Sequence, residues 1–137
     1  MLIHPYLSFE GRAEEAAEFY RSKLGAEIKM LMRFSESPEP PPPEMPKPPG
    51  NKVMHMELRI GDSTVFLSDG YCSGKAAFQG ISLSLTAANE AEAKRAFSGL
   101  SDGGQVQMPL TKTFFSPHFG MVTDRFGVGW MVYVPQA

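Results

Sequence analysis

The order strand, helix, strand, strand, strand can be read twice along this chain, and that repetition limits the folds open to it. Residues 2–9 alternate as a strand, with Ile3, Pro5, Leu7 and Phe9 on one side and His4, Tyr6 and Ser8 on the other. A helix follows in AEEAAEFYRSKLG, where Ala13, Ala16, Ala17, Tyr20 and Leu24 recur at helical spacing. Glu14 and Glu15 stand in its first turn and Gly25 at its end, as dipole and C-cap chemistry favour. Residues 27–34 predict a second strand. VMHMELRI and STVFLSD predict two more, joined by Gly61-Asp62 as a tight hairpin. The second half repeats the order. GISLSLT is a strand, residues 90–100 a helix with Ala93, Ala96, Phe97 and Leu100 on one face, and Gly103-Gly104 its stop. Residues 105–108, 119–123 and 129–134 supply three strands, the last two around the turn Asp124-Arg125-Phe126-Gly127. A shift of 76 lays Ser8 on Ser84, Phe9 on Leu85, Glu14 on Glu90, Ala17 on Ala93 and Leu24 on Leu100. Two further residues bring EIKM (27–30) onto QVQM (105–108).

One such half cannot cover both faces of its own sheet. Two halves can place helices outside and leave inner faces lining a cleft. The predicted fold is α+β: two βαβββ modules whose curved mixed sheets form a cup with the helices outside. The expectation is one domain over 1–137, module one at about 1–70 and module two at about 79–137. Residues 35–52 interrupt the first module. Eight of the twelve residues at 38–49 are proline, which excludes helix or central strand and favours extended polyproline II. Three roles stay open for this stretch: a stiff connection, an arm across a partner chain, or a lid over the cup. Its PxxP spacings also fit a polyproline ligand.

Charge and cysteine usage narrow the partners. The formal net charge is -2 with no basic cluster, which argues against nucleic acid or an anionic membrane surface. The longest fully apolar run near the end, residues 130–134, is far short of the ~20 residues that span a bilayer. Cys72 is the single cysteine, so no disulfide closes within the chain. With a start that lacks the basic and apolar regions of a signal peptide, a cytoplasmic protein is the expectation.

The hairpin allows a residue-level deduction. With Gly61 and Asp62 as the turn, Ile60 opposes Ser63, Arg59 opposes Thr64, Glu57 opposes Phe66 and His55 opposes Ser68. One face then carries His55, Glu57, Arg59, Thr64, Phe66 and Ser68 and should line the cup. The other carries Met54, Met56, Leu58, Ile60, Val65 and Leu67 and should pack beneath a helix. By the same alternation Ile81, Leu83, Leu85, Trp130, Val132 and Val134 go under the second helix. His4, Tyr6, Ser8, Gly80, Ser82, Ser84, Met131 and Tyr133 face inward. A mixed polar and aromatic wall of this kind suits a small-molecule ligand.

The stretches PYLSFEGRAEEAAEFYRSKLGAEI, KVMHMELRIGDSTVFLSDG and MPL…FFSPHFGMVTDRFGVGWMV resemble the vicinal oxygen chelate superfamily, which holds glyoxalase I, bleomycin resistance proteins and extradiol dioxygenases. Within it the chain is similar to the PhnB-like branch, over nearly its whole length, and the proline-rich loop is the main departure. The resemblance implies a single glyoxalase-like domain and a homodimer. It implies no single activity, because the superfamily hosts many chemistries on one scaffold. Metal-dependent members draw ligands from the first and last strand of each module. Those positions fall here on His4, Phe66, near Gly80 and near Met131, so His4 alone matches. No cofactor is implied, and a divalent metal at the usual site is poorly supported. Branch members are often labelled demethylubiquinone methyltransferases, but the chain shows neither a Gly-rich loop after an early parallel strand nor an alternating βα pattern.

Two readings remain for His4, His55 and Glu57: a site with His55 and Glu57 as an acid–base pair or a metal set, or hydrogen-bonded polar residues on a half-wet sheet face. Three classes of function follow. One is a lyase, isomerase or transferase acting on a small polar metabolite. Another is a non-catalytic protein that sequesters a planar ligand on Tyr6 and Phe66. The third is a structural or interaction protein whose cup is vestigial. Cys72, in a Gly/Ser loop, is expected to be an exposed bystander. His118 is expected at the surface, with the cup mouth as the alternative.

Overall fold

The computed structural model describes residues 1–39 and 47–137. The chain divides into two compact units, Met1–Ala76 and Ala77–Ala137. Each holds one four-stranded mixed sheet and one long helix.

In the first unit the elements run β1 (Tyr6–Ser8), α1 (Ala13–Leu24), β2 (Glu27–Arg33), β3 (Val53–Ile60) and β4 (Ser63–Ser68), with strand order β1-β4-β3-β2. The hairpin register is the one deduced from the Gly61-Asp62 turn: Ile60 opposes Ser63, Arg59 opposes Thr64 and Glu57 opposes Phe66. Met56, Leu58, Val65 and Leu67 are buried on the α1 side, with Ala13, Ala16, Ala17 and Tyr20 of the helix. Gly25 closes the helix in the left-handed conformation, at φ 69. The start of α1 lacks a cap of its own. Asp69, just beyond β4 and buried, accepts from the backbone N–H of Gly11 and Ala13 with Oδ1 and from that of Val53 with Oδ2. One carboxylate thus ties β4, α1 and β3 together and satisfies orphan helix donors.

Three expectations for this unit are corrected. The first strand covers Tyr6–Ser8 rather than 2–9, and Ile3 lies outside it, 91% exposed. Pro5 has no N–H with which to extend the ladder, and its carbonyl accepts from Phe66 as the last rung. Met54 is half-exposed, and Val53 takes the buried place. A bulge is responsible: Met32 opposes His55 but Arg33 opposes Val53, so Met54 is the extra residue. The segment after β2 is also less plain than a loop over 35–52. A 3-10 turn covers Phe34–Glu36, and the N–H groups of Phe34 and Ser35 reach the carbonyls of Lys52 and Gly50. Most of the polyproline run lies at 40–46, outside the described residues.

The second unit runs β5 (Ser82–Thr86), α2 (Glu90–Ser101), β6 (Gln105–Thr111), β7 (His118–Thr123) and β8 (Gly129–Val134), with order β5-β8-β7-β6. Ala93, Ala96 and Leu100 of α2 are buried with Val122, Trp130, Val132 and Val134 of β7 and β8. Asn89 caps α2 by accepting from Glu92 N–H, while Glu92 accepts from Ala88 N–H. Asp124 is buried and accepts from the N–H groups of Phe126 and Val128 and from Trp130 Nε1, which fixes the β7–β8 turn. Ile81 is 54% exposed and does not pack under α2, because the β5 ladder begins one residue later, where Ser82 meets Gly129. β6 runs on past Met108 to Thr111 through Pro109, which an edge strand tolerates.

The two units share an irregularity that supports the repeat. In β2 the register breaks between Ile28 and Met30, and in β6 between Val106 and Met108. These are the same places in the EIKM and QVQM overlay. Each break inserts one residue, Lys29 or Gln107, and reverses the parity of the residues that follow it, in β6 as far as the next shift between Met108 and Thr111.

Candidate functional site

The face of the first sheet turned away from α1 carries the candidate residues. Tyr6, Phe66, Glu57 and Met30 are consecutive register partners across β1, β4, β3 and β2, so they form one row on one side. His55 and Met32 oppose each other next to it. The hairpin turn sets Phe66 against Glu57, and the Lys29 bulge brings Met30 and Met32 to this side while Ile28 stays opposite buried Leu58.

Phe66 is the centre of a ring cluster. The His4 ring lies 4.7 Å from it at 34°, the His55 ring 5.1 Å at 58°, and the Tyr6 ring 6.0 Å in an edge-on arrangement. Tyr6 Oη is 3.1 Å from His55 Nδ1, a hydrogen bond. His55 Nε2 is 3.8 Å from Glu57 Oε2, too long for a hydrogen bond but within reach of the carboxylate charge. A carboxylate on that side favours the tautomer with its proton on Nε2, which leaves the Nδ1 lone pair to accept from Tyr6. Tyr6 is 55% exposed and is the open end of this series.

The remaining sequence candidates divide. Ser68 is buried and its Oγ accepts from Gly70 N–H, so it closes a turn instead of offering a hydroxyl to a ligand. Arg59 bends back to donate from Nε to the Gly61 carbonyl, toward the turn and away from the rings. Met131 and Tyr133 lie on β8 in the second unit, half-buried, opposite Met121 and Phe119 respectively and on the side away from buried Trp130 and Val132. His118 lies not at a cup mouth but on the helix side of β7. It shares parity with Gly120 and Val122, and its Nε2 is 3.3 Å from Glu90 at the start of α2. The hydrogen bond from Lys94, with the nearby charges of His118 and Lys94, holds the Glu90 carboxyl below its ordinary value. Cys72 is half-buried at φ 56 and not freely exposed. Burial, with the charge of Asp69, pushes its thiol up, which makes it a poor nucleophile.

The donor set does not fit the metal site of the superfamily. Of the four matching positions His4 alone is a ligand type for a divalent ion, and Phe66 packs its ring against that histidine. Among the described residues no group of three or more His, Cys, Asp or Glu side chains is placed to hold a metal ion.

Residue-level reading of the sequence missed Met30 and Met32 on this face, and Phe119 and Met121 in the second unit. The first pair is hidden by the bulge. The one signal that pointed toward it was the alignment of EIKM with QVQM, which places a methionine after each inserted residue. Also missed was a carboxylate clamp beside the site. Glu10, at φ 52, accepts from Ser8 Oγ and from the N–H groups of Tyr71 and Ser73. Gly70 completes it: its φ is 55, and a Cβ there would collide with the Glu10 carboxylate and Ser8 Oγ.

A family model described as 3-demethylubiquinone-9 3-methyltransferase matches residues 2–133. Protein YjdN of Escherichia coli (strain K12) is 36% identical over 140 residues, which are 98% of this chain and 95% of YjdN. Protein PA1353 from Pseudomonas aeruginosa superposes with a TM-score of 0.84 at 40% identity, over 100% of this chain and 99% of that one. The PhnB protein from Bacillus cereus does so at 0.79 and 29% identity, over 98% and 99%. At 12% identity a glyoxylase/bleomycin resistance protein/dioxygenase domain from Frankia sp. EAN1pec reaches 0.68 over 99% and 98%, a likeness of fold alone. No helix of the described residues is long and apolar enough to cross a membrane.

Proposed function

The chain belongs to the family described as 3-demethylubiquinone-9 3-methyltransferase, within the PhnB-like branch of the vicinal oxygen chelate superfamily, and on that footing we propose that its first sheet binds a small polar metabolite and moves a proton on it without a metal. The observation that carries this reading is the contact series from exposed Tyr6 through His55 to Glu57, set beside Phe66. A base held by a carboxylate and joined to a second hydroxyl is the arrangement general acid–base chemistry uses. His55 and Glu57 are the acid–base residues in this reading, and His4, Tyr6 and Phe66 the binding surface. Proton transfer of this kind belongs to lyases and isomerases. Methyl transfer, the activity in the family's description, finds no matching strand–Gly-rich loop–helix arrangement among the described residues, and the proposal does not draw on it.

Thermal melting against fractionated metabolites tests the reading. A fraction should raise the melting temperature of the native protein and do so less for Phe66→Ala, while His55→Ala keeps binding and loses turnover. Equal shifts in the native protein and Phe66→Ala would contradict it. A second reading, sequestration of a planar ligand on Tyr6 and Phe66, is favoured by the ring cluster itself. It predicts that the bound molecule is recovered unchanged from native protein. The proposal extends to one domain acting as a homodimer in the reducing cytoplasm. Light scattering should give twice the 15.1 kDa chain mass at micromolar concentration, and a monomer would count against it.

A further inference from the structure

We infer that Tyr6 is the catalytic residue of this face, the group that exchanges a proton with the bound molecule, and that His55 acts through it. The inference rests on the acid–base reading above and changes the assignment within it. Both ring nitrogens of His55 face side chains: Nδ1 is hydrogen-bonded to Tyr6 at 3.1 Å, and Nε2 faces Glu57 at 3.8 Å. Neither is turned to an incoming molecule. The His55 side chain is 25% exposed, whereas Tyr6, at the other end of its hydrogen bond, is 55% exposed. A ligand on this face therefore meets the phenolic oxygen first. The ring of Phe66 flanks both Tyr6 and His55, which fixes the two rings relative to each other.

The step balances without an added reactant. His55 Nδ1 takes the phenolic proton, and Glu57 stabilises the imidazolium that forms. The Tyr6 oxygen then takes a proton from a carbon next to a carbonyl in the substrate. The C–H bond breaks, its electron pair passes into an enolate, and an O–H bond forms on Tyr6. In a β,γ-unsaturated carbonyl compound, return of the proton to the γ carbon completes an isomerisation; where the β carbon bears a leaving group, its bond breaks as the C=C bond forms, and the proton goes to the departing group. The substrate class is a small carbonyl compound with an acidic adjacent C–H.

The relay is testable before any substrate is known, because a phenol assisted by a base is also a better nucleophile. N-acetylimidazole acetylates tyrosine oxygen: the O–C bond forms, the acyl C–N bond breaks, and the phenolic proton goes to His55 and from there, directly or through water, to the departing imidazole. Tyr71, at 57% exposure, is a matched internal reference in the same chain. With peptide mass mapping of the full-length protein, Tyr6 should be acetylated on the order of 10-fold or more faster than Tyr71, a threshold set below the roughly 100-fold at which assistance by a positioned base begins. His55→Gln should bring the ratio close to one, and Glu57→Gln should lower it by less. A ratio near one in the native protein, or a native ratio that His55→Gln leaves unchanged, would overturn the assignment. The native measurement needs no variant to fold. Acetylation also needs no natural ligand, so the relay can fail while the face still binds metabolites, and binding can fail while the relay acetylates.

Discussion

At the residue scale, the clamp at Glu10 shows how local strain is held in place. Two non-glycine residues have positive φ among the described residues, Glu10 and Cys72, and both belong to the junction where the turn after β1 meets the loop after β4. Such a conformation costs on the order of 1–3 kcal/mol and persists only where surrounding bonds over-determine it. Here the Glu10 carboxylate and carbonyl receive the N–H groups of Tyr71, Ser73 and Gly74. Burial works to raise the Glu10 carboxyl, but the bonds from Ser8, Ser73 and Tyr71 outweigh it and hold it below the ordinary 4.5. A depressed carboxyl contributes stability that is present above the unfolded value and lost as pH falls through the folded one. Glu10→Gln should therefore cost about 1 kcal/mol at neutral pH, a modest figure because the group is partly solvated. The cost should disappear in acid, where the native carboxyl is also protonated. Urea midpoints from pH 7 down through the acid range check this, and a cost of the same size throughout would refute it. None of this was legible in FEG or SDGYCSG, which read as ordinary turn residues. The clamp joins positions far apart in sequence, and no local pattern marks it.

At the scale of elements, the helices, the hairpins and most strand faces followed from periodicity, because alternation and turn chemistry act over a few neighbouring residues. The failures came where the ladder gains or loses a residue. One inserted residue at Lys29 or Gln107 reverses the facing of a strand, and neither residue type announces it. Strand ends were overestimated at Ile3 and Ile81 because apolar alternation continues past the last available partner. The buried acceptors Asp69 and Asp124 were also hidden, since an aspartate in a turn segment that holds a glycine is a common turn signal. Asp69 replaces the cap that α1 lacks and also holds Val53, two residues before His55. An amide has one acceptor oxygen, so Asp69→Asn cannot serve both sides. The change should cost about 2–3 kcal/mol, measured by urea unfolding, and should shift the His55 ring resonances. A cost under about 0.5 kcal/mol with unchanged resonances would remove Asp69 from this role.

At the scale of the molecule, the twice-repeated element order was legible from the first reading, and the matching bulges give it a structural basis that few sequence identities could. The chemistry did not repeat with the fold. The first unit places His4, Tyr6, His55, Glu57 and Phe66 on the sheet face away from its helix, while the second carries Phe119, Met121, Met131 and Tyr133 on its own. Reading the superfamily's ligand positions onto this chain left His4 alone, and the structure gives Phe66 a different task as the ring around which the others gather. The central claim, a metal-independent small-molecule face on the first sheet, is tested most directly by chemical-shift mapping of the labelled protein against a metabolite extract, with and without EDTA. The predicted result is that perturbed resonances concentrate at His4, Tyr6, His55, Glu57 and Phe66 and are the same in both conditions. Perturbations that avoid these residues, or that vanish with EDTA, would contradict it.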